Sequence, residues 1–174
     1  MHEEKLSPQD HCAYEQALHW SRSYLAGKAH EGRVWLVPQD QRSSYEKALA
    51  WYKLGVEGSI DERTCYENSL QYWPEHSSAW YNLGCSGGGT AGGMSYDKRT
   101  CFEKALEFDP LYAKAWHALA VAGGGTVQGK KYDDRACCMQ VLKIRYPLPD
   151  AYFKEMSFPE MWRLAFRVAE ANDA

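Results

Sequence analysis

Several things are scarce in this 174-residue chain. There is no long apolar run: the stretch from Cys85 to Tyr96 is uncharged but rich in Gly and Ser, and it cannot span a bilayer. The chain opens MHEEKLSPQD, with no apolar leader, so an intracellular, cytoplasmic protein with reduced cysteines is expected rather than a secreted one. A basic surplus is missing too. The net charge is −3, which gives no reason to expect nucleic acid as a partner. None of the six cysteines shows C-x-x-C spacing, and adjacent Cys137 and Cys138 cannot bridge each other easily. Alternation with a two-residue period is absent over any six residues, so no strand is expected.

Aromatic residues, in contrast, are abundant: seven Trp, twelve Tyr and five Phe. They supply core material, since each buried ring removes roughly 150–250 Å² from water. Three cysteines, Cys65, Cys101 and Cys137, stand 36 residues apart, which suits small buried packing residues at equivalent places in successive units.

That spacing belongs to a repeat. Residues 79–108 laid over 115–144 without a gap are identical at thirteen of thirty positions. The identities include Ala-Trp, the whole Gly-Gly-Gly-Thr of 87–90 and 123–126, and then Tyr-Asp, Arg, Cys and Leu. The pattern extends backward: Asp61, Arg63, Cys65, Leu70 and Pro74 precede Asp97, Arg99, Cys101, Leu106 and Pro110 by 36. Ala50-Trp51-Tyr52-Lys53-Leu54-Gly55 matches 79–84 once the glycine loop is deleted. Each unit reads as two helices. Trp80, Leu83 and Gly84 (Trp116, Leu119, Ala120) mark the first helix, and Cys101, Phe102, Ala105, Leu106 and Phe108 the second. Ser95 is the expected N-cap of one second helix, and Ser59 with Glu62 a capping box on another. One fused helix is expected over 41–57.

These residues resemble the tetratricopeptide repeat family. Trp80, Leu83, Gly84, Phe102, Ala105 and Pro110 match its pattern, as do Trp51, Leu54, Gly55, Tyr66, Ser69 and Pro74, and less fully Trp116, Leu119, Ala120 and Leu142. The unit is two residues longer than the family's, ends its first helix in Gly-Gly-Gly-Thr, and has Lys98 and Asp134 where a small residue usually sits. The resemblance implies an all-α fold: an α-solenoid of antiparallel helix pairs, with helical caps at both ends. The expected organisation is an N-terminal helix and linker at 1–40, repeats at 41–157 and a C-terminal capping helix at 158–174. In the cap, Ser157 and Glu160 start a helix that should bury Met161, Trp162, Ala165, Phe166 and Ala169.

Chemistry finds little purchase. The segment 124–131 falls one residue short of a Walker A and lacks a preceding strand and the magnesium-binding hydroxyl, so the glycine loops are expected to turn the chain. Nucleotide or anion binding by them is the alternative. His11 and Cys12 are adjacent and their side chains diverge, and the six histidines show no metal spacing. No catalytic residue, metal or cofactor is therefore assigned. The recurrent Asp-x-Arg at 61/63, 97/99 and 133/135 reads as a charge ladder between units rather than an arginine stripe for acidic partners.

What remains is the concave groove that a solenoid's first helices would line. With Trp80 and Leu83 inward, Ser78, Tyr81, Asn82 and Cys85 face out. Their counterparts are Lys114, His117 and Val121, and, earlier, Tyr52 and Lys53. The expected function is a non-enzymatic interaction module that takes a peptide or partner helix there, with a monomer or weak self-association. A self-assembling repeat protein is a further alternative.

Overall fold

A computed structural model describes residues 42–58, 61–147 and 149–171, together with residues 12, 14–19 and 21. It is predominantly helical. The first long helix, α1 (Arg42–Glu57), is the fused helix anticipated for 41–57. It is followed by α2 (Glu62–Tyr72) and α3 (Ser77–Cys85), then α4 (Lys98–Phe108) and α5 (Ala113–Val121). Last come α6 (Asp134–Arg145), the short α7 (Asp150–Glu155) and α8 (Phe158–Ala171). From α1 to α6 each helix packs on the next in sequence, and α8 folds back onto α5 and α6. Residues 14–19 are helical, and Tyr14 lies 4.9 Å from the Trp51 ring. The rest of the anticipated N-terminal helix (8–26) and the linker 27–40 lie outside the described residues.

Two glycine loops overturn the expectation of no strand. Strands β1 (Gly88–Ala91) and β2 (Met94–Asp97) form one antiparallel hairpin, and β3 (Gly125–Val127) and β4 (Lys130–Tyr132) another. In the first, Ala91 pairs with Met94 across a two-residue turn whose Gly92 and Gly93 have φ of +56° and +79°. That is the turn whose twist suits a hairpin, and it needs positive φ twice. Glycine is demanded for a different reason at Gly88. Its φ is +93°, and a Cβ there would stand 2.4 Å from the Tyr96 carbonyl oxygen. Gly124 repeats this against Tyr132 at 2.2 Å. No side-chain alternation betrays these strands because half of β1 has no side chain.

The hairpins are tied down across units. Glu67 of α2 accepts from the Thr90 N–H at 2.7 Å, and Glu103 of α4 accepts from the Thr126 N–H at 2.6 Å. Tyr96 meets Trp80 edge-on, and Tyr132 meets Trp116, each with ring centroids 4.8 Å apart. Each tryptophan then donates its Nε1–H to the carbonyl of Pro74 (2.7 Å) or Pro110 (2.8 Å), six residues earlier.

Asp-x-Arg divides its work differently from a ladder of ion pairs. Asp61, Asp97 and Asp133 are the N-caps of α2, α4 and α6, accepting from the N–H three residues on. The cap is therefore Asp97, not Ser95, which lies in β2, and Asp61 rather than Ser59, which lies outside the described residues. Hydrogen bonds from Thr64 and Thr100 hold the Asp61 and Asp97 carboxyls below their ordinary pKa. The arginines do join successive units, but to carbonyls that close the following first helix. Arg63 donates to Ser86 O at 2.9 Å, Arg99 to Ala122 O at 2.7 Å and Arg135 to Met156 O at 2.8 Å. These are otherwise orphan acceptors.

Cys65, Cys101 and Cys137 are all fully buried, and burial pushes the thiols of Cys101 and Cys137 up to about 12. Helices α3 and α4 approach at Gly84, where a Cβ would stand 2.6 Å from the Phe102 ring, so the close contact avoids Lys98, which is exposed. Just before α8, Ser157 donates both its N–H (3.2 Å) and its hydroxyl (2.6 Å) to Glu160 in the helix's first turn. Met161, Ala165 and Ala169 are buried as anticipated, but Trp162 is half-buried, and Phe166 stays 45% exposed while Val168 takes an inner place.

Candidate partner-binding groove

The outward positions of α1, α3 and α5 converge on one patch. Tyr52, one turn of helix before the end of α1's apolar stripe, receives a 3.3 Å hydrogen bond on its hydroxyl from Asn82 Nδ2 of α3. Burial raises the Tyr52 hydroxyl's pKa, opposed by hydrogen bonding with Ser78 and Asn82 and by the charge of Lys114. Tyr81, Asn82 and Ser78 are each half-buried, and Cys85 is exposed at the end of the same helix. Burial also raises the Cys85 thiol, opposed by a hydrogen bond with Tyr81 and by Lys98 and Lys114. Tyr52, Ser78, Tyr81, Asn82, Cys85 and Lys114 are thus neighbours.

The remaining candidates sit differently. Lys53 pairs with Glu57 on its own helix at 2.5 Å. Val121 is 57% exposed, as is its counterpart Val56, so with Cys85 one small apolar or thiol side chain projects from the last turn of each first helix. His117 is not on open surface: α8 lays Trp162 and Phe166 against it, with centroids 5.7 and 5.4 Å away. Burial lowers its pKa, opposed by Glu170, and among the described residues its buried Nε2 has no hydrogen-bond partner.

Sequence reasoning missed what stands behind the aromatics. Tyr52 lies 4.7 Å from His76, and Tyr81 lies 5.1 Å from Tyr112, ring to ring. His76 and Tyr112 are 36 residues apart and are the N-cap residues of α3 and α5. Each of these two tyrosines therefore packs on the start of the next first helix and also on the second helix between them, Tyr52 on Tyr66 at 6.0 Å and Tyr81 on Phe102 at 5.8 Å, and stays half-buried. The periodicity of His76 and Tyr112 was a usable signal, hidden because the two residue types differ.

The glycine loops are poorly made for an anion. The Thr90 and Thr126 N–H groups already face glutamate oxygens, whose charge opposes a phosphate. Among the described residues, no group of three His, Cys, Asp or Glu is placed to hold a metal ion, and no helix is long and apolar enough to cross a membrane. No family model, curated protein or solved structure matches the chain.

Proposed function

We propose that this protein is a non-enzymatic interaction module: a tetratricopeptide-like solenoid whose first helices α1, α3 and α5 offer a groove to a peptide or partner helix. The observation that carries the reading is the half-buried state of Tyr52 and Tyr81 on successive first helices, next to the exposed Val56, Cys85 and Val121. Rings already held by packing on Tyr66 and His76, or on Phe102 and Tyr112, lose few rotamers on binding, which favours them as anchors. The reading includes a cytoplasmic setting, in which the six cysteines stay reduced, and a monomer or weak self-association. Neither nucleic acid nor a membrane is a partner in it.

The test is selection of twelve-residue peptides from a random library on the immobilised protein, followed by binding to variants. Tyr52→Ala and Tyr81→Ala should each weaken a selected peptide by roughly 1–3 kcal/mol with helicity retained, whereas charge reversal at Glu62 should not matter. Selected peptides indifferent to Tyr52, Tyr81 and Val121 would sink the groove reading.

A further inference from the structure

A second opening lies between α2 and the tip of the β1–β2 hairpin, and it shares no residue with the groove. It is a cleft of about 590 Å³ whose floor is one face of α2, carrying Glu67, Asn68 and Gln71, and whose far wall is Thr90 with the Gly92–Gly93 turn. Asn68 is the telling residue. Only 5% exposed, it lines this cleft, and among the described residues its carboxamide makes no hydrogen bond. Its amide atoms are not among the fully water-excluded ones, so a side chain otherwise packed away keeps its polar end reachable from the cleft and uncommitted to any protein partner. Beside it, Glu67 spends Oε1 on the Thr90 N–H. The cleft is lined by one carboxylate and two carboxamides, and among the described residues by no lysine or arginine.

The repeat itself indicates which charge belongs there. Thirty-six residues on, Glu103 makes the same bond to its hairpin, at Thr126. The counterparts of Asn68 and Gln71 are Lys104 and Glu107, which form an ion pair at 2.7 Å. One unit thus supplies its own cation beside the hairpin glutamate. The other has an uncharged amide at that place and leaves the cleft open. We propose that this cleft binds a guanidinium, presented as an arginine side chain by a partner peptide and taken by the Glu67 carboxylate and the amide oxygens of Asn68 and Gln71. A planar fork with five N–H donors matches acceptors at i, i+1 and i+4 on one helix face, and it is more weakly hydrated than an ammonium. Glu67 supplies the charge-assisted bond, the strongest contact of the set.

The test is an NMR titration of the whole chain, reading the backbone amides of Thr90 and Gln71, with the capped tripeptide Gly-Arg-Gly as probe. Saturable shifts confined to α2 and the hairpin are expected, with the citrulline tripeptide, a neutral isostere, binding at least tenfold more weakly and the lysine tripeptide in between. Free arginine is run alongside; tighter binding than the tripeptide would keep the guanidinium site but identify a free metabolite as its ligand. Gln71→Glu, at an exposed position, should tighten the arginine probe severalfold. Asn68→Lys, which installs the other unit's cation, should abolish binding, while Tyr52→Ala and Tyr81→Ala leave it unchanged. The absence of saturable shifts, equal binding of citrulline, or a Gln71→Glu variant that fails to tighten overturns the proposal.

Discussion

Single residues at the unit joints carry more than the repeat pattern assigns them. His76 is the sharpest case. Its ring stacks on Trp73 at 4.4 Å, lies against Tyr52, and has Nδ1 3.2 Å from Ser69 Oγ, which itself donates to Ala48 O at 2.8 Å. One buried histidine thus links α1, α2 and the start of α3. Burial pushes its pKa down to about 4. The native state therefore stays neutral while the unfolded chain takes up a proton near pH 6.5, so stability falls as pH drops from about 6.5 towards 4. His117 acts in the same direction. The aspartate caps act lower. Their folded pKa is depressed, so their contribution is present above the ordinary carboxyl value and lost as pH falls through the folded one. At pH 5 the His76 share is about 2 kcal/mol. Chemical denaturation between pH 7.5 and 5 should show that loss, and His76→Phe should flatten the dependence. Equal slopes in the two proteins would rule the assignment out. The sequence made Tyr52, Tyr81 and Cys85 legible as outward positions, because 3.6-residue periodicity sets a side chain's direction. It could not show that His76 and Tyr112 back the tyrosines, since that contact joins helices through a turn and through two different side chains.

At the scale of elements the hairpins are the lesson. The glycines were visible, and their 36-residue recurrence marked them as structural, yet a strand is ordinarily recognised by its alternation. With glycine at 88 and 89 there is none, and the hairpin is held by Glu67, which reaches Thr90, 23 residues away, while Arg63 holds Ser86 at the helix end that leads into it. A trace of this was available. Glutamate stands at 67 and 103, each followed by a glycine loop, while the third position holds Met139 and no such loop follows. The hairpin geometry separates two glycine substitutions that a flexible loop would treat alike. Gly88→Val meets the Tyr96 carbonyl from a backbone at φ +93°, and should cost more than about 2 kcal/mol. Gly92→Asn has φ +56° and nothing within 4 Å, and should change stability by no more than about 0.5 kcal/mol. Urea denaturation of both variants decides it; similar effects would mean the loop has no fixed hairpin.

At the scale of the whole molecule, the buried side chains among the described residues fall into two clusters, and this sets how the protein comes apart. The larger runs without a break from Tyr66 and Leu70 through Leu83, Phe102, Leu106, Leu119 and Leu142 to Phe153 and Met161 of the C-terminal helices. The smaller gathers Tyr14, Ala17 and Leu18 on Ala50, Trp51, Leu54 and Cys65. The repeats and the C-terminal helix were legible from periodicity and capping residues. The return of α8 over His117 was not, because nothing local states which neighbour a helix will cover. In a stack where units touch mainly their neighbours, stability is close to a sum of unit and joint terms, so the place of a defect decides how far it spreads. Leu106 is fully buried midway along the large cluster. Leu106→Ala should cost about 2–5 kcal/mol and lower amide protection from α2 to α8 together. Trp51→Ala removes even more apolar surface, but at the small cluster. Its effect should be confined to α1 and residues 14–19, with protection in α4, α5 and α6 near the wild-type level. Native-state hydrogen exchange on the two variants gives the comparison. If Trp51→Ala lowers protection in α5 as far as it does in α1, the two clusters unfold as one body, and the joint between α1 and α2 is as strong as any within the repeats.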